Sequence, residues 1–190
     1  MQTFDEIYQK VEECSHETAF SRGEALALYG LITAAEPTGT LVEIGVQFGR
    51  SATVFCELQK EFNYNLILID GWVEEEYSNS ARNHFLNQTE KHGWKYTPIW
   101  INSNDAVKKL IEDNVQIDII HIDGDHEYEG VRDDILNYTP LVVSGGFIVF
   151  DDYGHESLPG VYQACSEFMT EDKFEFIGRY DNKLGVYRKK

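Results

Sequence analysis

Apolar and polar positions alternate in blocks along most of the chain. Short β-branched runs, typical of strands buried on both faces, are separated by segments with apolar residues at helical spacing. The runs predict strands at residues 40–44, 65–69, 97–101, 117–122 and 147–150. The intervening segments predict helices from the turn at 45–51 to Phe62, at 105–113 and at 128–139. This alternation predicts a doubly wound α/β fold with a largely parallel, Rossmann-like sheet.

The two ends of the chain extend this pattern. Residues 4–14 carry an apolar stripe, and Ser21 with Glu24 forms a capping box at the start of a second helix, residues 21–35. A helix at 160–169 and an antiparallel hairpin, 174–180 with 184–188, close the chain. We therefore expect a seven-stranded mixed sheet in a single domain over 1–190, with residues 1–36 as a helical appendage on a core at 40–190. Residues 73–93 are polar and predict one short helix plus a loop.

Composition limits the classes of function. The 190 residues include 16 basic and 33 acidic side chains, a formal charge of −17. Such a surface repels nucleic acid and anionic membranes, so a small-molecule substrate is the expected partner. The three cysteines are far apart and predict reduced thiols in a cytoplasmic protein. The polar amino terminus predicts no signal peptide, and no apolar run is long enough to span a membrane.

Acidic residues follow two of the predicted strands. Asp123 and Asp125 come after the strand at 117–122, and Asp151 and Asp152 come after the strand at 147–150. A right-handed crossover makes these strands parallel, so the acids meet at the carboxyl edge of the sheet. Four such carboxylates repel one another and need a proton or a cation to share. Their hard oxygen ligands suit Mg²⁺ or another divalent cation.

A glycine turn follows the first strand. Gly45 and Gly49 have the spacing G-x-x-x-G, which lacks the second glycine of a dinucleotide fingerprint and the lysine of a phosphate-binding loop. Glu43 lies just before the turn, where a carboxylate can accept from the ammonium group of a zwitterionic ligand. Ser51, at the start of the following helix, can hold the ligand's carboxylate.

Polar residues also end the next two strands. Asp70 ends the strand at 65–69, a position from which an acid can bind both hydroxyls of a ribose. Asn102 and Ser103 follow the strand at 97–101 and either contact a base or cap a helix. His121 lies inside a strand and is expected to be a hydrogen-bonded core residue.

The segments LVEIGVQFGRS, LILIDGW, INSNDAV, IHIDGDHEYEGVRDDI and GGFIVFDDY, in this order, resemble class I S-adenosylmethionine-dependent methyltransferases. The likeness is strongest to the small metal-dependent O-methyltransferases, which include catechol-type enzymes and enzymes acting on sugars of macrolide and aminocoumarin antibiotics. The resemblance implies roles of three kinds: cofactor contacts at Glu43, Gly45, Gly49, Ser51, Asp70, Trp72, Ser103 and Asp123; metal ligands at Asp123, Asp151 and Asp152; and a catalytic base at Asp125 or His126.

Methyl transfer from a sulfonium to a hydroxyl needs an aligned nucleophile and a group that takes its proton. A divalent ion would lower the pKa of that hydroxyl. We therefore expect an S-adenosylmethionine- and Mg²⁺-dependent O-methyltransferase acting on a sugar or secondary metabolite. Two alternatives stay open, a metal-dependent hydrolase-like enzyme on the same fold and a non-catalytic cofactor-binding module. The terminal helices and hairpin leave room for a homodimer.

Overall fold

Seven strands form one mixed sheet in the computed structural model, which describes residues 2–14, 20–72 and 75–190, apart from the side chains of residues 75–78. The strand order is β3-β2-β1-β4-β5-β7-β6. The strands are β1 Thr40–Ile44, β2 Asn65–Ile69, β3 Thr97–Ile99, β4 Ile117–Ile122, β5 Val142–Phe150, β6 Phe174–Tyr180 and β7 Leu184–Lys189. The first five are parallel, and β7 pairs antiparallel with both β5 and β6. The predicted Rossmann-like fold class is confirmed.

Helices cover both faces of this sheet. They are α1 Phe4–Val11, α2 Arg22–Ala35, α3 Arg50–Phe62, α4 Glu75–His92, α5 Ser103–Glu112, α6 Tyr128–Tyr138 and α7 Pro159–Phe168. One buried apolar cluster joins α5, α6 and α7 to the sheet, and a second joins α1 to α4 to the opposite face. Side chains alternate between the two, since Val42 and Ile44 enter the first cluster and Leu41 the second. The sheet is thus buried on both sides, as its apolar runs predict.

The register brings the carboxyl ends of the central strands together. Ile44 of β1 pairs with Ile69 of β2 and with Ile122 of β4, and Ile122 pairs with Phe150 of β5. The residues after these four strands therefore emerge side by side at one edge. This arrangement places the glycine turn, Asp70 and the two acidic segments around one region.

Helix α4 corrects the prediction of a short helix plus a loop. Eighteen residues are helical, Glu75–His92, while Val73 and Glu74 lie outside the described residues. Between residues 79 and 92 the helix buries a narrow stripe, in which Ala81 and Phe85 are fully covered. Two apolar residues give too weak a period for the sequence to reveal a long helix. Contacts of Phe85 with Trp94, Tyr96 and Trp100 supply the missing information.

The ends of the chain form as expected. Capping boxes start α1 at Thr3 with Glu6 and α2 at Ser21 with Glu24. Both helices pack against α3. In the described part of the chain, no helix is long and apolar enough to cross a membrane. All three cysteines are buried free thiols, as predicted.

Candidate active site

A cavity of about 630 Å³ opens at the carboxyl edge of the sheet. Its walls come from the ends of β1, β2 and β4, the amino terminus of α5 and one side of α6. Seven of the residues that the sequence proposes line it: Gly45, Asp70, Trp72, Ser103, Asp123, Asp125 and His126. Side chains from distant parts of the sequence therefore share one space of a size that suits a small organic ligand.

The glycine turn is a consequence of close packing. Gly45 has φ +89°, and a Cβ atom there would lie 1.8 Å from the backbone oxygen of Asp123. Only glycine allows the ends of β1 and β4 to approach so closely. Gly49 has φ +85° and faces the ring of Phe85, which a Cβ would approach to 2.3 Å. Gly49 therefore precedes α3 and allows Phe85 of α4 to pack closely against it, and it does not line the cavity.

Asp70 joins the glycine turn to the end of β2. Its Oδ2 accepts hydrogen bonds from the backbone N–H groups of Val46 and Gln47, at 2.8 and 2.9 Å. Its Oδ1 accepts from the backbone of Trp72 at 2.7 Å. Each carboxylate oxygen can accept more than one hydrogen bond, so the side chain still offers acceptor positions toward the cavity. Asp70 thus shapes the site and faces it.

Glu43 lies behind the cavity wall. Because Glu43 and His121 are opposite one another on β1 and β4, their side chains meet, with Oε1 3.2 Å from Nδ1. Both side chains are fully buried. Burial raises the pKa of Glu43, while contacts with His121 and Ser51 oppose the increase. His121 is the hydrogen-bonded core histidine that the sequence predicts, and the roles of Glu43 and Ser51 as direct cofactor ligands stay predictions.

Asp134 is a cavity residue that the sequence analysis does not identify. It lies on α6 with 2% of its surface exposed, lines the cavity, and has an Oδ1 atom without a hydrogen-bond partner. Burial raises its pKa to about 6, against a hydrogen bond from Ser103. Asn102 caps α5 by accepting from the backbone of Asp105, which leaves the Ser103 hydroxyl for Asp134. A buried acceptor without a partner calls for a donor, from water or from a ligand.

The second acidic segment lies beside this cavity. Asp151 and Asp152 are both buried, and Asp152 has a left-handed backbone with φ +50°. Burial, followed by the charge of Asp123, raises the pKa of Asp151 to about 6. Asp123 and Asp151 are thus close enough to interact, as the shared sheet edge predicts.

The side chains of His126 and Lys183 lie among these carboxylates. His126 Nε2 lies 3.4 Å from Asp123 Oδ1 and 3.3 Å from Asp152 Oδ2. A hydrogen bond with Asp123 is the main cause that raises the pKa of His126, against the effect of burial. Lys183 Nζ lies 3.1 Å from the other Asp152 oxygen, Oδ1. Lys183 therefore supplies a positive charge to these acids, and His126 supplies one only when it is protonated.

Asp125 makes different contacts from His126. Its Oδ1 accepts from the backbone N–H of Glu127 at 2.9 Å, and its carboxylate lies against Gly130. These contacts hold the turn that leads into α6. Asp125 therefore positions the loop on which His126 is carried.

The predicted magnesium site does not form in this arrangement. Mg²⁺ requires oxygen ligands at about 2.0–2.1 Å in near-octahedral geometry. Within the described ranges, no three His, Cys, Asp or Glu side chains converge in a way that could hold a metal ion. Asp123 and Asp152 instead contact His126, and Asp152 also contacts Lys183. The residues present do not fit the ion, and metal dependence stays a prediction without a site.

Lys183 and Glu24 are further residues that sequence reasoning misses. Lys183 follows the turn of the β6–β7 hairpin, and Glu24, fully buried on α2, lies 3.6 Å from its ammonium group. Burial and the charge of Asp151 raise the pKa of Glu24 to about 7. A lysine in a tight turn is an ordinary surface feature in a sequence. Only the antiparallel pairing of β7 with β5 places it at the acidic edge.

Comparison with known proteins now defines the family. A family model described as a methyltransferase domain matches residues 42–153, from β1 to the second acidic segment. This chain belongs to that family. Uncharacterized protein R132 of Acanthamoeba polyphaga mimivirus is 31% identical over 161 residues, which cover 77% of this chain and 70% of the viral protein.

Solved methyltransferase structures share the fold. The methyltransferase PaMTH1 of Podospora anserina, bound to S-adenosylhomocysteine (SAH), has a TM-score of 0.73 at 15% identity and covers 98% of this chain and 87% of its own. CalS11, a TDP-rhamnose 3′-O-methyltransferase of calicheamicin biosynthesis, has a TM-score of 0.67 at 15% identity over 97% of this chain and 92% of its own. At these identities the likeness is one of fold.

Proposed function

We propose that this methyltransferase-family protein transfers a methyl group from S-adenosylmethionine to a hydroxyl group of a small molecule. The observation that carries the proposal is the single cavity at the sheet edge, which Asp70, Asp134 and His126 all line. The cavity combines two carboxylates, which can accept hydrogen bonds from a nucleoside, with a histidine at one side. The SAH-bound fold relative and the sugar O-methyltransferase among the relatives support the cofactor and the type of acceptor.

The cavity residues suggest how the cofactor would lie. Asp70, after β2, would accept hydrogen bonds from the ribose hydroxyls. The partnerless Oδ1 of Asp134 would accept from the amino group of adenine, and Trp72 would pack against the base. The sulfonium end would then point toward Asp123 and His126. A cationic sulfonium is favoured near these carboxylates.

Transfer needs few chemical groups from the protein. The acceptor oxygen attacks the methyl carbon in line with the S–CH₃ bond; the new C–O bond forms as the S–C bond breaks, and SAH leaves. We assign His126 as the base that takes the hydroxyl proton, because its imidazole lies at the cavity wall between two carboxylates that orient it. Asp125, engaged with the Glu127 backbone, acts as a positioning residue.

The hydrolase alternative loses support. It needs a metal ion to generate hydroxide from water, and the carboxylates that would bind it contact His126 and Lys183. A methyl transfer needs mainly the positioning of two substrates.

Calorimetry with SAH tests the proposal. The wild-type protein should bind with micromolar affinity, and Asp70→Ala should weaken binding about tenfold or more through loss of charged hydrogen bonds. Asp113→Ala, an exposed residue at the end of α5, is the matched control and should bind normally. Absence of binding by the folded wild-type protein would overturn the proposal. With binding established, isotope-labelled S-adenosylmethionine and a panel of nucleotide sugars and phenols would identify the acceptor.

A further inference from the structure

The turn of the β6–β7 hairpin is fastened to the acidic edge of the sheet. Asp181 and Asn182 both have left-handed backbones, φ +49° and +56°, which make the turn tight. The backbone N–H of Tyr153 donates to the carbonyl oxygen of Lys183 at 2.7 Å. Lys183 is therefore held directly beside Asp151 and Asp152, with only 19% of its side chain exposed.

The ammonium group of Lys183 joins three separate elements. It lies 3.1 Å from Asp152 Oδ1 at the end of β5 and 3.6 Å from Glu24 Oε1 on α2. Glu24 is fully buried, and its other carboxylate oxygen accepts from the backbone of Ser21 in the capping box. A buried carboxylate needs a nearby positive charge, and Lys183 supplies it to two of them.

His126 completes the compensation of charge. Its Nε2 atom lies between Asp123 and Asp152, so each of the two oxygens of Asp152 has a side-chain nitrogen within 3.3 Å, His126 Nε2 at 3.3 Å and Lys183 Nζ at 3.1 Å. A divalent ion bound to Asp152 would stand directly beside the ammonium group of Lys183 and would be repelled by it. At Asp152, the place of a metal ion is thus taken by the ammonium group of Lys183.

We propose that Lys183 is a built-in counter-cation, which takes the place of a divalent metal ion in the acidic cluster. In this role it is a positioning residue: its one positive charge is shared between Asp152 and Glu24, so neutral His126 can take the proton of the acceptor. The claim that methyl transfer proceeds without a divalent ion rests on the proposed function. The claim that Lys183 takes the place of the ion concerns the acidic cluster alone, and metal binding tests it without any measurement of methyl transfer.

Binding of Mn²⁺, followed by electron paramagnetic resonance of the full chain, tests the replacement. Wild-type protein should bind no Mn²⁺ at this cluster up to about 1 mM, the weak end of protein–cation affinities. Lys183→Ala should gain a Mn²⁺ site at least about tenfold tighter, because it leaves carboxylates uncompensated. Adding Asp151→Asn to that variant should remove the gain. Lys183→Arg and the exposed control Lys108→Ala should gain nothing.

Two results of the Mn²⁺ titrations would overturn the proposal. One is wild-type binding of Mn²⁺ that weakens in Asp151→Asn, and the other is a folded Lys183→Ala protein with no gain in affinity. If the alanine variant does not fold, Lys183→Met, which keeps the aliphatic part of the side chain, replaces it. The Mn²⁺ titration of the wild-type protein tests the proposal in either case. Methyl transfer that stops on addition of EDTA would also contradict the proposal, whereas absence of SAH binding would affect only the proposed function.

Discussion

At the scale of single residues, Asp134 sets a requirement that its neighbours do not meet. The Ser103 hydroxyl donates to the carboxylate, and the buried Oδ1 has no hydrogen-bond partner. A carboxylate accepts hydrogen bonds only, so it favours a ligand with an amino group at this point and rejects one with a carbonyl oxygen. Adenine carries the amino group, and hypoxanthine carries the carbonyl at the same position.

Asp134→Asn should therefore change the preference for the base. The Ser103 hydroxyl would keep donating to the amide oxygen, and the amide nitrogen would then face the ligand. We expect the affinity for SAH, relative to that for S-inosylhomocysteine, to fall by about tenfold or more. In the variant, the amide nitrogen would be unpaired against the adenine amino group and would donate to the hypoxanthine carbonyl oxygen. Calorimetry at about pH 8, above the raised pKa of the acid, measures both ligands. The neighbouring half-buried residue Asp133, which pairs with Arg132 and does not line the cavity, provides the control Asp133→Asn. An unchanged ratio in Asp134→Asn would remove Asp134 from the adenine site.

At the scale of elements, Phe85 anchors α4 among the side chains that the structure describes. Phe85 is fully buried, contacts the backbone of Gly49 at the start of α3, and lies against Trp94, Tyr96 and Trp100. Trp100 in turn packs edge-on against Trp72 in the cavity wall, with ring centroids 4.6 Å apart. The helix therefore closes the aromatic side of the site.

Phe85→Ala should lower the free energy of unfolding by about 3–5 kcal/mol, as large-to-small substitutions of buried aromatics do. The adjacent Leu86 is 37% exposed, so Leu86→Ala serves as the control and should cost less than about 1.5 kcal/mol. Urea denaturation followed by circular dichroism measures both. Equal losses for the two variants would show that α4 is not anchored through Phe85.

At the scale of the whole molecule, the charge of −17 is the dominant electrostatic feature. Carboxylates exceed basic groups two to one, with 33 against 16, which leaves a large excess of negative charge. Mutual repulsion of like charges destabilises a compact state. At low ionic strength this repulsion acts across much of the molecule, and salt confines it to near neighbours.

The melting temperature should accordingly rise by several degrees when NaCl increases from about 10 mM to about 150 mM, as the Debye length falls from about 30 to about 8 Å. Differential scanning calorimetry measures the change. Choline chloride at the same ionic strength should give the same increase, which separates screening from specific binding of sodium. A lower melting temperature in salt would mean that attractive ion pairs outweigh the repulsion.

Much of the fold follows from local information. The apolar runs that become β1, β2 and β4 have the predicted bounds, and the capping box at Ser21 starts α2 where expected. The positions of Asp70, Asp123 and Asp151 after their strands were also sufficient to predict that they share one edge of the sheet. Parallel strands connected by right-handed crossovers end on the same side. The length of α4 was not predictable in this way, since its polar sequence hides a single buried stripe.

The sequence by itself determined the order of strands and helices, the family resemblance and the carboxylates gathered at one sheet edge, because these depend on periodicity and on short segments of the chain. Tertiary structure alone decided how those carboxylates are compensated. Lys183 reaches Asp152 from 31 positions further along the chain, and Asp134 reaches the cavity because Ser103 and α6 pack together. Such contacts join residues with no local relationship, so hydrophobic patterning and motif spacing carry no record of them.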